Sequence, residues 1–267
     1  MTHLSFTKHH GLGNDFLCAV EPPVAVTPER VVAWCDRRRG VGADGVMTAT
    51  RTGPEGPGWA MALWNADGSR AEISGNGIRC LGQAVLAHLG QAPPARLDLA
   101  TDAGLRQLEL TATDDPATVM VRVAMGSAKA GPGPSSHLSD LGVAVRRQES
   151  VDLGNPHLVV LVDDATAHDL AALGPVVEAE YPDGINLHLV SVAAPDRMVL
   201  RVWERGVGVT EACGSGACAA AWAAAGWGLV GDVVTVDMPG GSATVEVGDP
   251  VVLRGPATMV ATVVVDA

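Results

Sequence analysis

Residues 74–81 read Ser-Gly-Asn-Gly-Ile-Arg-Cys-Leu, and residues 213–220 read Cys-Gly-Ser-Gly-Ala-Cys-Ala-Ala. The two stretches lie 139 positions apart, and each is a glycine-rich turn running into an apolar segment. After the first, Ile78, Leu81, Val85, Leu86 and Leu89 fall on one stripe at helical spacing, which predicts a helix over about Gly77–Leu89. After the second, Gly216–Val230 is nearly all small and apolar, so this helix is expected to be enclosed on every side. The uncharged run Ala212–Gly231 is rich in Ala and broken by Gly, and reads as a buried helix rather than a membrane span.

Working outward, the pairing continues. Gly13-Asn14 matches Gly154-Asn155 at an offset of 141, and Asp44-Gly45 matches Asp183-Gly184 at 139. Asn65 precedes Ser74 by nine residues, as Glu204 precedes Cys213. Single matches are cheap in a chain with 32 Gly, but several in one order at a near-constant offset imply an internal repeat. Short β-rich runs recur between these landmarks: Leu4–Lys8, Trp59–Trp64, Arg96–Ala100, Leu105–Thr111, Val119–Met125, Leu158–Val162, Leu187–Val192, Met198–Trp203, Val233–Met238, Thr244–Val247 and Met259–Val265. Thr27-Pro28 opens a further helix with Thr as N-cap and Pro in the first turn, and a weaker helix is expected over Thr166–Leu173. Residues 53–58 and Gly131–Pro134 read as loops. The expected architecture is α/β (α+β): two pseudo-symmetric halves, each with many strands around one helix. The halves are placed at residues 1–118, with the last strand 257–267, and 119–256.

Length and composition bound the class. The chain has 267 residues, 47% hydrophobic and 18% charged, enough for two cores and too apolar for disorder. A net charge of −12 argues against nucleic acid or an anionic membrane surface as partner. Five cysteines and an N-terminus without a leader pattern predict reduced thiols in the cytoplasm. The only lysines are Lys8 and Lys129, neither in a phosphate-binding context, so pyridoxal-phosphate chemistry is not expected. No Walker or Rossmann fingerprint follows a strand, and no His/Cys spacing suits zinc. His9-His10 reads as edge-strand polarity, and Asn186-Leu187-His188 as no better a ligand set. No cofactor and no metal are expected.

The helix starts carry the chemistry. A helix N-terminus offers unpaired N–H groups and partial positive charge, which bind a carboxylate without a basic side chain. The same field is expected to favour the thiolate of Cys213. Cys18, Cys35, Cys80 and Cys218 read as core packing. Asn14, Asn65, Asn76, Asn155, His157, Asn186, Glu204 and Arg205 cluster at the repeated turns. Singly each is an ordinary turn residue, and their place in the repeat is what singles them out.

At these residues the chain resembles the diaminopimelate epimerases. The matching segments are 10–16, 40–45, 65–69, 74–77, 154–157, 183–186 and 204–216, in order and over essentially the whole length. The resemblance implies a cofactor-independent isomerase with two rolled, mostly antiparallel sheets, each around a central helix, and an active site in the cleft between them. It implies a homodimer acting on a small zwitterionic amino acid, interconverting LL- and meso-diaminopimelate on the bacterial lysine and peptidoglycan route. One thiolate removes the α-proton and a second thiol returns one on the opposite face. By resemblance Gly75, Asn76, Gly214 and Ser215 hold the reacting carboxylate. Asn65, Asn155, Asn186 and Arg205 hold the distal end, with Asn14 in the same pocket. His157 and Glu204 stand beside the catalytic positions and tune their proton affinity.

One departure stands out: the family carries cysteine at both catalytic positions, and this chain has Ser74 at the first and Cys213 at the second. Cys80, six residues on, cannot replace residue 74 without rebuilding the turn. Serine is a far weaker base than cysteine near neutral pH, where the reference thiol pKa is about 8.5. Three accounts stand open: a native serine assisted by His157, giving a slow or asymmetric epimerase; a Cys→Ser substitution; or drift to another reaction. The alternatives are a related amino-acid racemase, a hydroxy-amino-acid lyase, or a diaminopimelate-binding homologue without turnover.

Overall fold

The computed structural model describes residues 2–53, 56, 58–71 and 73–266. Pro54, Glu55 and Pro57 of the expected loop, and Met1 and Ala267 at the ends of the expected first half, lie outside the described residues. The chain forms two compact units, Met1–Val123 with Gly255–Ala267, and Ala124–Arg254.

The first unit runs β1 (His3–Gly11), β2 (Asn14–Val20), α1 (Pro28–Cys35), β3 (Gly45–Arg51), β4 (Trp59–Asn65), β5 (Arg70–Ala71), α2 (Gly75–His88), β6 (Ala95–Thr101), β7 (Gly104–Ala112) and β8 (Thr118–Gly126). The second runs β9 (Lys129–Ala130), β10 (Arg147–Asp152), β11 (Pro156–Leu161), α3 (Leu170–Glu178), β12 (Asn186–Ala194), β13 (Arg197–Glu204), β14 (Gly208–Thr210), α4 (Gly214–Gly226), β15 (Val233–Met238), β16 (Gly241–Glu246) and β17 (Val251–Asp266). Strands β8 and β17 each cross the boundary between units.

The two units share one pattern of strand pairing. In the first, β2 is parallel to β3, β3 antiparallel to β4, and β4 parallel to β6. In the second, β11 is parallel to β12, β12 antiparallel to β13, and β13 parallel to β15. Strands of the first unit follow the order β17-β1-β2-β3-β4-β6-β7-β8, and β8 pairs back with β17. Such a barrel-like half leaves one interior, and α2 fills it: every residue from Gly75 to Leu86 is buried. In the second unit α4 lies against β10, β11, β12, β13, β15 and β16, and small side chains let it be buried without a break from Gly214 to Ala221. It ends at Gly226, short of the expected Val230, and Gly226 is exposed. No described helix is long and apolar enough to cross a membrane.

Local chemistry explains the helix starts. The Thr27 hydroxyl accepts the Arg30 N–H and Pro28 follows it, as the sequence predicts for α1. The expected helix over Thr166–Leu173 is corrected. A 3₁₀ turn occupies Ala165–Ala167, and α3 begins after Asp169, whose carboxylate caps the Ala171 and Ala172 N–H groups. The expected strand Met259–Val265 is the latter half of a longer one, and the polar stretch Arg147–Asp152 forms an unforeseen strand between β9 and β11. His9 is also corrected: β1 is paired on both sides, and His9 is fully buried with Nδ1 2.9 Å from Gln83 Oε1.

Candidate active site

Each unit presents its central helix start in the same way. Ser74 is the N-cap of α2, with φ −129° and ψ 122°, and its hydroxyl oxygen accepts the Gly77 N–H at 3.1 Å. Cys213 is the N-cap of α4, with φ −132° and ψ 115°, and its sulfur accepts the Gly216 N–H at 3.3 Å. A cap acceptor satisfies one of the first-turn N–H groups that have no intrahelical partner; the remainder point outward with the positive end of the dipole. The repeated tetrads are therefore two copies of one capped, glycine-lined helix start.

In the first unit an unbroken chain of hydrogen bonds leads to α2. Asp44 accepts from Asn14 Nδ2 at 2.7 Å, Asn14 Oδ1 from Asn76 Nδ2 at 3.3 Å, and Asn76 Oδ1 from Arg79 Nη2 at 2.9 Å. Asp44 and Asp15 are tied together by Arg37, and Lys8 also reaches Asp15. Burial alone would raise the Asp15 pKa, but the hydrogen bonds and charges of Arg37 and Lys8 outweigh it and hold the carboxyl below its ordinary value. Arg79 is fully buried and also donates to the carbonyls of Gly75 and Pro256. Its positive charge and the helix dipole act in the same sense, making the start of α2 a place for an anion. Asn14, Ser74, Gly75 and Asn76 are thus gathered at one helix start. Asn65 stands apart from that chain, its amide donating to Ser69 in the β4–β5 turn.

In the second unit the expected residues lie on the ends of β11, β12 and β13 and at the start of α4. His157 is buried, with Nε2 2.8 Å from Asn155 Oδ1 and Nδ1 2.8 Å from His188 Nε2. Asn186 is anchored on the backbone, donating one N–H to the Pro156 carbonyl and accepting the Arg205 N–H. Arg205 Nη1 reaches the Asp183 carbonyl, and its methylenes lie against Gly184, where a Cβ would come within 2.8 Å. Glu204 accepts from the Thr210 hydroxyl at 2.6 Å and bears on Cys213. Ser215 places its hydroxyl 3.6 Å from the Cys213 sulfur.

The electrostatics of Cys213 correct one expectation. The helix start was expected to favour a thiolate. Burial instead pushes the thiol well up, and the Glu204 carboxylate pushes it further; the Ser215 hydroxyl and Gly216 N–H offset only part. The free protein therefore holds Cys213 as a neutral thiol, able to give a proton before it can take one. The same burial keeps the imidazoles neutral, with His188 pushed down to about 3 and His157 also far below its ordinary value.

Sequence reasoning missed His188 and Arg79. A charged residue two positions into a segment expected to be buried was a usable sign for Arg79. His188 carried none, because its value lies in what it touches.

Three comparisons bear on this arrangement. The family model described as diaminopimelate epimerase matches residues 6–130 and 149–260. Among curated relatives, the diaminopimelate epimerase of Synechococcus elongatus is 40% identical, covering 91% of this chain and 90% of its own. That of Magnetococcus marinus is 40% identical over 96% and 94% respectively. Among solved structures, a hydroxyproline epimerase from Agrobacterium vitis superposes with a TM-score of 0.75 at 16% identity, covering 98% of this chain and 92% of its own. A Bacillus anthracis phenazine biosynthesis protein of the PhzF family superposes with a TM-score of 0.76 at 15% identity over the whole of both chains. These two likenesses show the fold.

Proposed function

Because the chain belongs to the diaminopimelate epimerase family, we propose that it interconverts LL- and meso-diaminopimelate by moving the proton on the α-carbon. The observation that carries this reading is the twin station of Ser74 and Cys213. Each caps a buried helix, with first-turn N–H groups beside a side chain that can hold a proton.

In this reading a base takes the α-proton from one face of the substrate, the bonding pair stays on carbon, and an acid on the other face returns a proton. Charge builds on the substrate carboxylate as the carbanion forms, and helix-start N–H groups at Gly75, Asn76, Gly214 and Ser215 stabilise it. Asn14, Asn65, Asn155, Asn186 and Arg205 hold the remaining polar ends, and His157 and Glu204 set the protonation of their neighbours. Cys213, neutral at rest, is the natural acid. Ser74 is the weak partner, since a hydroxyl gives up its proton far less readily than a thiol. The reaction is expected to be slow in both directions, since each passes through the same step in which Ser74 takes or gives up a proton. No cofactor is called for by this scheme, and we place the protein in the cytoplasm as a homodimer.

Ser74 also favours a second reading, in which the chain is a related amino-acid racemase, a hydroxy-amino-acid lyase or a homologue that binds diaminopimelate without turnover. The deciding experiment is α-proton exchange in deuterated water with LL- and meso-diaminopimelate, for wild type and Ser74→Cys in parallel. Exchange in wild type, accelerated in Ser74→Cys, is the expected result. Exchange by neither protein between pH 6 and 9 would overturn the epimerase reading, and oxo-acid release from hydroxy-amino acids would install the lyase.

A further inference from the structure

We propose that His188 is a positioning residue: it donates a hydrogen bond to His157, which in turn fixes the amide of Asn155 with its NH2 group turned toward a carboxylate of the substrate. The inference rests on the reading above in one respect, that Asn155 meets the substrate.

The geometry is a line of three side chains in one unit. His188 Nε2 lies 2.8 Å from His157 Nδ1, and His157 Nε2 lies 2.8 Å from Asn155 Oδ1. Both rings are fully buried, while Asn155 is half-buried. Residues 157 and 188 sit on adjacent parallel strands one diagonal step apart, His157 opposite Asn186 and Val159 opposite His188, so their side chains share a face. Two neutral imidazoles hold one N–H each. The proton between them therefore has two homes, and each home dictates the rest of the line.

If His188 carries it on Nε2, His157 accepts at Nδ1 and has its own N–H on Nε2. That N–H points at Asn155 Oδ1, which accepts it, and His188 Nδ1 is a bare lone pair. If His157 carries it on Nδ1, His188 must bear its N–H on Nδ1. That buried nitrogen has no hydrogen-bond partner among the described residues. A buried N–H without an acceptor is the costlier orphan, so the first arrangement wins. It also fixes a direction: His188 to His157 to Asn155. With Oδ1 turned to the buried His157 ring, the NH2 group is the end of the Asn155 amide left to meet a ligand. It then selects an acceptor, a carboxylate, and disfavours the ammonium group at the other corner of an amino-acid end.

His188 is itself held in place. Its ring lies on the first turn of α4, so close to Gly216 that an added Cβ would sit 2.3 Å from Cε1. Gly216 is the residue whose N–H is capped by the Cys213 sulfur. One ring thus rests on the turn that presents the thiol and steers the amide of Asn155.

The test uses full-length protein labelled with ¹⁵N-histidine, together with His188→Gln and His188→Met. Glutamine keeps an N–H donor at the reach of the histidine Nε2, and methionine keeps bulk without a donor. In ligand-free wild type, two-bond ¹H–¹⁵N spectra are expected to show His157 with a pyrrole-type Nε2 and a pyridine-type Nδ1, and His188 with a pyrrole-type Nε2. A pyrrole-type Nδ1 on His157 would overturn the relay whatever the activity. In meso-diaminopimelate exchange assays, His188→Met is expected to raise KM about tenfold, the weight of one hydrogen bond, with kcat changed far less. His188→Gln is expected to keep KM within about twofold of wild type. Equal behaviour of the two variants, unchanged or equally impaired, would also overturn it. Should neither wild type nor Ser74→Cys show exchange, the epimerase reading falls and the ring spectra alone decide the relay; should only Ser74→Cys show it, the two His188 variants are compared in that background. Should His188→Met fail to fold, the wild-type spectra and His188→Gln decide it.

Discussion

Gly77 and Gly216 are the same position in the repeat, third in each helix, yet alanine should be received differently at each. At Gly216 an added Cβ would lie 2.3 Å from His188 Cε1, 2.8 Å from Nε2 and 2.9 Å from Nδ1, where ordinary contact begins near 3.4 Å. The ring is buried and bonded to His157, so it cannot step aside without breaking that bond. Overpacking a filled site costs about 1–3 kcal/mol and a lost hydrogen bond about 1 kcal/mol, against a helix-propensity gain of at most about 1 kcal/mol. Gly216→Ala should therefore lose about 1–3 kcal/mol. At Gly77 the nearest atoms are Met47 Sδ at 2.6 Å and Cε at 3.2 Å, with Ser74 Cβ also at 3.2 Å. The tip of a methionine moves cheaply, so Gly77→Ala should stay within about 1 kcal/mol of wild type. Urea unfolding of both variants, with the slope checked for constancy, measures the difference. Equal losses, or a Gly216→Ala protein as stable as wild type, would refute the claim that a pinned ring sets the cost.

Acid should unfold the protein ahead of its carboxylates. His9, His157 and His188 are buried neutral, with His9 pushed down to about 4 and His188 to about 3. Their contribution is present above the ordinary histidine pKa near 6.5 and is lost as pH falls toward the folded values, at about 1.4 kcal/mol per pH unit for each histidine. Urea midpoints at pH 7, 6 and 5 should fall steadily, and a flat series would contradict the burial of these rings. Alkylation of Cys213 by iodoacetamide, followed by peptide mass spectrometry, should be slow at pH 7 and still rising past the ordinary thiol pKa, because burial and Glu204 hold the thiol protonated. Fast labelling near pH 6.5 would speak for a resting thiolate instead. Ser74→Ala removes the cap on the Gly77 N–H and should cost about 1 kcal/mol, while Ser74→Cys, copying the Cys213 cap, should cost far less. Thermal unfolding of the pair separates the two cases.

The sequence by itself determined what is local. A Thr-Pro cap, two glycine-rich tetrads and the apolar stripe after Ser74 place α1, α2 and α4, because capping and helical spacing act within a few residues. The repeat announces two halves of one design, and equal strand pairing in both units follows from it. The family, too, was legible in the motifs. Tertiary structure alone decided what depends on neighbours far along the chain. Asp169 rather than the residues near Thr166 starts α3, since the 3₁₀ turn before it uses up the expected segment. His9 is a core residue because its ring faces α2 and meets Gln83 there, while β17, some 250 positions later, takes the edge of β1 that the sequence left open. Cys213 is a thiol because burial and the Glu204 carboxylate outweigh the Ser215 and Gly216 hydrogen bonds, and neither can be weighed from one turn. His188 acquires a role only when β12 is laid parallel to β11 and α4 closes over it. Hydrogen-bond direction and desolvation are properties of an enclosed space, and the chain has to fold before that space exists.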